Sequence, residues 1–270
     1  MSKTSGVDWD AYTETDLRER WDRESVHLLD SVDSTNEAAK QLAEGGAPDG
    51  TIVIAREQTE GRGRAGSKWH SPRDAGVYLS MVYHPRDLSH PGPLVILAGL
   101  GIAEELERGF PGIRPMLKWP NDLIIADRKA GGLLAESAWN DAVPKYLVVG
   151  VGLNVRPLGK RGPKKLRDSA TSLDEHLEAP ADLAAVADAA VRGLERYLSH
   201  PEPVLTARLL AELDRRDWLR DRRVVLTVPG AEHDAETPGV SVGIAPDGAL
   251  LFRPDRGALR RIMTGSVAAE

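Results

Sequence analysis

The sequence predicts an α+β chain in two units: a large one with alternating strands and helices, then a small all-β one. Three observations predict this. Short apolar runs at 51–56, 77–83 and 146–155 have strand length, whereas 91–108 is a longer, largely apolar run of helix length. Amphipathic helical patterns follow at 181–199 and 203–217. The composition then changes near residue 219. Beyond it, four short apolar runs are separated by turn sequences such as Pro246-Asp247-Gly248, which reads as a small barrel of SH3-like size. With 270 residues and 41% apolar content, the chain can bury a real core.

Composition excludes several classes. There is no cysteine, hence no disulfide framework and no thiolate chemistry, which fits a reducing cytoplasm. The net charge of -6 does not favour nucleic acid. No apolar run approaches the roughly 20 residues that span a membrane, and the first thirty residues lack a signal-peptide pattern. The seven histidines are scattered, so no metal site is expected from them. There is no Gly-x-Ser-x-Gly elbow.

In chain order, 13–23 reads as a short helix and 26–30 as the first strand. Ser34 with Glu37 three residues on has the form of a capping box, so a helix is expected to start there. Ser34 then serves either as a cap or, with Thr35, as a hydroxyl pair facing a pocket. Gly45 to Gly50 ends the helix. After the strand at 51–56, Gln58 stands at a strand end. The helix at 91–108 is broken at 109–115. Met116 to Ile125 reads as strand, tight turn and strand, because Pro120 cannot sit inside a central strand. That places Lys118, Asn121 and Asp122 at one corner. Asp127-Arg128-Lys129 is expected to be a hairpin turn leading into a strand over 130–136. In 146–155, Gly150 and Gly152 fall on one face. Their missing side chains leave a flat slot for a planar or elongated ligand. Residues 156–168 carry six cations against Asp168 alone and read as a loop, either a solvated connector or a lid that closes over a polyanion. A short helix is expected at 171–177.

The stretch Gly61-Arg62-Gly63-Arg64-Ala65-Gly66-Ser67-Lys68-Trp69 is too glycine-rich for a strand or helix and must be a loop. It is either a solvated basic turn or an anion cradle of backbone N–H groups and guanidinium forks. It matches neither a Walker A loop nor a dinucleotide fingerprint. Hydroxyls at a helix start, arginines in a loop, lysines at a hairpin and a glycine floor together point to electrostatic handling of an anion, most simply a nucleotide phosphate.

These motifs occur in an order that resembles biotin protein ligases. They are Ser34-Thr35-Asn36, the Gly61–Trp69 loop followed by Ser71-Pro72, Lys118-Trp119-Pro120-Asn121-Asp122, Lys129 with Gly131-Gly132, and Gly150-Val151-Gly152-Leu153-Asn154-Val155. The resemblance implies a catalytic domain like that of class II aminoacyl-tRNA synthetases, with a mixed sheet, over 26–218. An SH3-like domain at 219–270 and an extension at 1–25 complete the expected layout. It implies activation of biotin by Mg·ATP to biotinyl-5'-AMP, then transfer to a lysine of a biotin carboxyl carrier domain. Biotin and ATP are substrates, with no permanently bound cofactor. Implied catalytic residues are Lys129, Arg64 and Asp122. Biotin-binding residues would be Ser34, Thr35, Asn36, Gln58, Arg62, Gly63, Arg64, Lys129 and Gly132. Nucleotide-binding residues would be Arg62, Arg64, Lys118, Asn121, Lys129 and Asn154, with 156–168 ordering over the adenylate.

This sequence departs from the family pattern in two ways. Only about 25 residues precede the first strand, so a three-helix DNA-binding module does not fit and no specific DNA binding is expected. Ala65 and Ser67 stand where some relatives carry further basic residues. Homodimerisation is compatible with the resemblance, and a cytoplasmic location is expected. Two alternatives compete: a lipoate or octanoyl transferase of the same fold, which the Lys118–Asp122 motif and the small barrel oppose, and a nucleic-acid module, which the acidic charge opposes.

Overall fold

In a computed structural model, residues 9, 12–85, 91–141, 143–159, 163–198, 205–228 and 236–270 are described. Helix α1 (Glu14–Trp21) is opened by Thr13, which forms a reciprocal capping box with Asp16. Strand β1 (Val26–Leu29), helix α2 (Thr35–Glu44), strands β2 (Ile52–Ala55) and β3 (Gly76–Tyr83), and helix α3 (Pro91–Gly109) follow. Next come β4 (Met116–Lys118), β5 (Asp122–Ile125), β6 (Arg128–Asn140), β7 (Val143–Asn154), α4 (Lys164–Ser169), α5 (Leu183–Leu198) and α6 (Ala207–Arg216). The C-terminal strands are β8 (Arg223–Thr227), β9 (Thr237–Ile244), β10 (Leu250–Pro254), β11 (Arg260–Ile262) and β12 (Ser266–Ala269).

Strands β1 to β7 form one mixed sheet in the order β1-β2-β3-β7-β6-β5-β4, with only β1 and β2 parallel. The alternation of side chains divides its faces. Ile52, Ile54, Leu79, Met81, Val149 and Val151 join the main core, which also holds the buried faces of α3 and α5. Those two helices meet where Gly101 and Gly193 oppose each other; a Cβ on Gly101 would lie 2.1 Å from the Gly193 carbonyl oxygen. The opposite face carries α2, packed through Ala39 and Ala43 on Val53, Val82 and Val148. Farther along this second face, β7 presents glycines instead of valines, and the apolar cover stops. That gap is where the candidate site lies. Among the described residues, no helix is long and apolar enough to cross a membrane.

The small unit is a five-stranded antiparallel sheet in the order β11-β10-β9-β8-β12. Four strands were expected there. The fifth, Ser266–Ala269, has Val267 as its one β-branched residue beside a serine and two alanines, a weak strand signal, and it forms by pairing with β8. Two further expectations are corrected. Arg128 and Lys129 belong to β6, and the turn itself is made by Ala126 and Asp127, both at positive φ. Residues 164–169 are helical rather than loop, while Lys160 and Arg161 lie outside the described residues. Val224, Leu226, Leu250, Phe252 and Val267 join the same core as the large sheet, so the small unit is docked on the large one.

Candidate functional site

A cavity of about 700 Å³ opens on the α2 face of the large sheet. Its inner end is neutral and polar. Ser34 is the N-cap residue of α2, but its side chain makes no capping hydrogen bond, and the expected capping box is absent. Glu37 pairs instead with Arg62 and Lys40, so Ser34 Oγ is left for the pocket it lines. Thr35 donates its N–H to Gln58 Oε1 at 2.9 Å, and Gln58 Nε2 donates to Ser71 Oγ at 2.8 Å. Gln58 is therefore fixed by partners on both sides rather than lying loose on the surface. Asn36 is more deeply engaged. Its Nδ2 donates to the Leu134 carbonyl at 3.2 Å and to Glu136 Oε2 at 2.8 Å, and its Oδ1 lies 2.6 Å from Ser80 Oγ. Both amide hydrogens are taken, so Asn36 shapes and braces the pocket floor.

The glycine slot is not open, contrary to the sequence expectation. A Cβ on Gly150 would lie 2.0 Å from Asn36 Oδ1, and one on Gly152 would lie 2.5 Å from Cε2 of Trp69. The alternate glycines make room for two of the protein's own side chains. Trp69, at the end of the Gly61–Trp69 loop, lays its indole over β7 and presents its ring to Lys129 Nζ, 5.3 Å from the centroid. This cation–π contact gives Lys129 one partner. Asp122 Oδ1, 2.5 Å from Lys129 Nζ, gives it another. Gly132 completes the arrangement, because a Cβ there would come within 3.3 Å of Lys129 Cε.

The outer end is cationic. Arg64 is half-buried and donates from Nη1 to the Gly265 carbonyl at 3.2 Å. Burial pushes its pKa down, against the opposing pull of Asp122. Lys118 is likewise pushed down, first by burial and then by Lys129, with Asp122 opposing. Its Nζ stands over the Trp218 ring at 5.7 Å. Lowered pKa values here mean that both cations are held short of full solvation, which strengthens their pull on an incoming anion. Arg62 sits at the rim in an ion pair with Glu37. Gly63, expected to offer its N–H to an anion, donates it to the Ser67 carbonyl at 2.7 Å, because the loop closes on itself through a 3-10 turn at Arg64–Gly66.

Asn121 donates from Nδ2 to the Leu133 carbonyl at 2.5 Å and holds the β5–β6 corner. Asn154 donates to the carbonyls of Thr171 and Lys129, at 3.0 and 3.4 Å. It lines the cavity while tying β7 to the segment after α4. Leu158 and Leu166 of the basic segment also line the cavity. Arg156 does not; it binds Asp174 and the Ala181 carbonyl. The structure thus brings all thirteen sequence-predicted site residues to one cavity. Thr264, Gly265, Ser266 and Val267 were missed, as was the buried Ser80 under the floor. The first four come from the small unit by tertiary docking, and no local signal marks them.

The profile of the Biotin/lipoate A/B protein ligase family matches residues 28–154, from β1 to the last residue of β7. The "Biotin--[acetyl-CoA-carboxylase] ligase" of Mycobacterium tuberculosis is 31% identical over 232 residues, covering 84% of this chain and 82% of that protein. The chain belongs to the biotin/lipoate protein ligase family. "Bifunctional ligase/repressor BirA" of Bacillus subtilis is 36% identical over 163 residues, 59% of this chain and 50% of that protein; the match spans about half the length of that relative. Among solved structures, the Aquifex aeolicus biotin protein ligase in complex with biotin and ATP superposes with a TM-score of 0.74 and 26% identity, covering 92% of this chain and 99% of that one. As a family member, the chain carries the mixed seven-stranded catalytic sheet and the small C-terminal sheet together.

Proposed function

We propose that this chain is an ATP-dependent biotin–protein ligase acting on the biotin carboxyl carrier domain of a biotin-dependent carboxylase. The observation that carries the reading is the polarity gradient of one cavity. A neutral, hydrogen-bonding inner end of Ser34, Thr35 and Gln58 gives way to a cationic outer end of Arg64, Lys118 and Lys129. A neutral ureido ring suits the first and two anions suit the second. The Aquifex aeolicus biotin protein ligase is in complex with such a pair, biotin and ATP.

In the first step a biotin carboxylate oxygen attacks the α-phosphorus of ATP, which enters with Mg²⁺ as substrate. The bond to the bridging oxygen breaks, and pyrophosphate leaves. Two anions repel each other, so the protein's main task is to hold them in line at short range. Arg64 offers a planar fork that spans carboxylate and α-phosphate. Lys129, held by Asp122 and the Trp69 ring, places a positive charge where charge builds on the phosphoryl oxygens. In the second step the uncharged amine of an acceptor lysine attacks the acyl carbon, AMP leaves, and the amine's proton passes to solvent. The segment 156–168, bordering the cavity through Leu158 and Leu166, excludes water from the anhydride in this reading.

The test is biotin-dependent exchange of labelled pyrophosphate into ATP by the purified protein. Exchange with biotin and none with lipoate is expected. Exchange with lipoate alone, or with neither acid, overturns the reading.

A further inference from the structure

Lys118 differs from the other cations of the cavity in how it is held. Lys129 has a carboxylate partner in Asp122, Arg62 has one in Glu37, and Arg64 donates to the Gly265 carbonyl. The Lys118 ammonium makes no ion pair or hydrogen bond with another described residue. What it meets is the ring of Trp218, 5.7 Å from the centroid. Lys118 lines the cavity, and Trp218 is not part of that lining. A lysine ammonium on a flexible four-carbon stem turns readily into water unless something holds it. A carboxylate would hold it but would cancel its charge. An aromatic face attracts the cation and takes none of its three N–H donors, so the whole charge stays available to an incoming anion.

Trp218 is itself fixed from several sides. Its backbone N–H donates to the Leu117 carbonyl at 2.8 Å, and Asp217 pairs with Leu117 in parallel register. The linker between the two sheets therefore runs alongside β4, the strand that carries Lys118. The next residue, Leu219, is fully buried, with its N–H on Asp217 Oδ1 at 2.9 Å. At the edge of the indole, Nε1 donates to Asp127 Oδ1 at 2.7 Å. Asp127 stands in the β5–β6 turn at φ 61°, two residues before Lys129. Arg222, 4.3 Å from the same ring centroid, donates to the same carboxylate oxygen at 3.0 Å. The indole thus bridges β4 and the turn that leads into Lys129. The geometry points to Trp218, anchored by Asp127, as a positioning residue that holds the Lys118 ammonium toward the cavity for the phosphates of the nucleotide. This rests on the ligase reading above. It assigns a role in nucleotide binding to a linker residue that touches no substrate.

The experiment uses the full chain and the variants W218L, D127G and K118M, with the double variants K118M/W218L and K118M/D127G. Glycine accepts the positive φ at 127 while removing the carboxylate. Asp127 is exposed, so D127G keeps the cycle readable where the linker does not tolerate leucine. The first readout is the Kd for the Mg²⁺ complex of α,β-methylene ATP, an analogue that cannot be cleaved at the reacting bond, by titration calorimetry. The second is the KM for biotin in pyrophosphate exchange. The expected result is roughly tenfold weaker analogue binding in W218L, within the range of a partly desolvated cation–π contact. D127G shifts the Kd in the same direction, and the KM for biotin stays at the wild-type value in both. In the K118M background neither substitution has any further effect on the Kd, because the ring then has no ammonium to hold. Equal weakening with and without Lys118 assigns Trp218 a structural role and overturns the proposal. Unchanged analogue binding in W218L and D127G overturns it too, as does K118M binding the analogue as tightly as the wild type. These outcomes leave the ligase reading intact when the wild-type protein exchanges pyrophosphate with biotin. Absence of that exchange overturns both readings.

Discussion

Gly152→Ala tests the seating of Trp69, on which the position of Lys129 depends. The added Cβ would stand 2.5 Å from Trp69 Cε2 and 2.6 Å from Nε1, roughly an ångström inside ordinary contact. The sheet backbone of β7 is paired on both sides, with β3 and β6, and cannot retreat. The indole must move. Overpacking of this kind costs about 1–3 kcal/mol, which at roughly 2–4 °C per kcal/mol for a chain of this size is a visible drop in Tm. Displacing the ring also removes its cation–π contact with Lys129, so adenylation falls as well. The decisive form is a double-mutant cycle with Trp69→Ala. Once the ring is gone, the three atoms nearest the added Cβ are gone with it. The remaining effect of Gly152→Ala is the loss of unfolded-state freedom, which stabilises by about 0.4–1 kcal/mol. The coupling between the two positions is thus at least about 1 kcal/mol. Thermal unfolding of the four proteins and their pyrophosphate exchange rates measure it. An equal cost of Gly152→Ala with and without Trp69 refutes the reasoning.

Other perturbations separate chemistry from scaffold. Arg64→Ala and Lys129→Ala should each lower biotin-dependent pyrophosphate exchange by about 10²–10³-fold, the usual loss for one preorganised charge-stabilising donor. Their circular dichroism should stay native, because the Lys129–Asp122 pair is partly exposed and such pairs add about 1 kcal/mol or less. Asn36→Ala removes the donor to Glu136 Oε2 and the oxygen beside Ser80; it should cost about 1–3 kcal/mol in denaturant unfolding and raise the KM for biotin. Asp217 is buried, with Oδ2 unpartnered, and burial raises its pKa to about 6, with Asp214 and Asp221 adding to the rise and Leu219 N–H and Arg220 opposing it. A carboxyl whose folded pKa exceeds the unfolded value favours folding while protonated and loses that advantage as pH climbs from about 4 through 6. Asp217→Asn should therefore stabilise the protein by about 1–3 kcal/mol at pH 8 and by nearly nothing at pH 4, as read by urea unfolding at the two pH values.

Much of this protein was determined by sequence alone, because its signals are local. Glycine density compelled a loop at 61–66, Pro120 compelled a break between β4 and β5, and the valine–glycine alternation of β7 marked a strand with one bare face. The ordered motifs point to Ser34, Arg64, Lys118, Lys129 and Asn154 as one site, and all five line the same cavity. What tertiary structure alone decided concerns what fills space and who bonds to whom. The bare face of β7 reads identically in sequence whether a ligand or a side chain covers it, and only packing shows that Asn36 and Trp69 do. Ser34 and Glu37 have the spacing of a capping box, yet Arg62 and Lys40 compete for the carboxylate and leave the hydroxyl to the cavity. Strand β12 carries one strand-forming residue, Val267, too weak a local signal by itself, and it exists because β8 offers it hydrogen-bond partners. Gly265 reaches Arg64 across 201 residues of chain, a contact that depends on the docking of two sheets and leaves no trace in any local pattern.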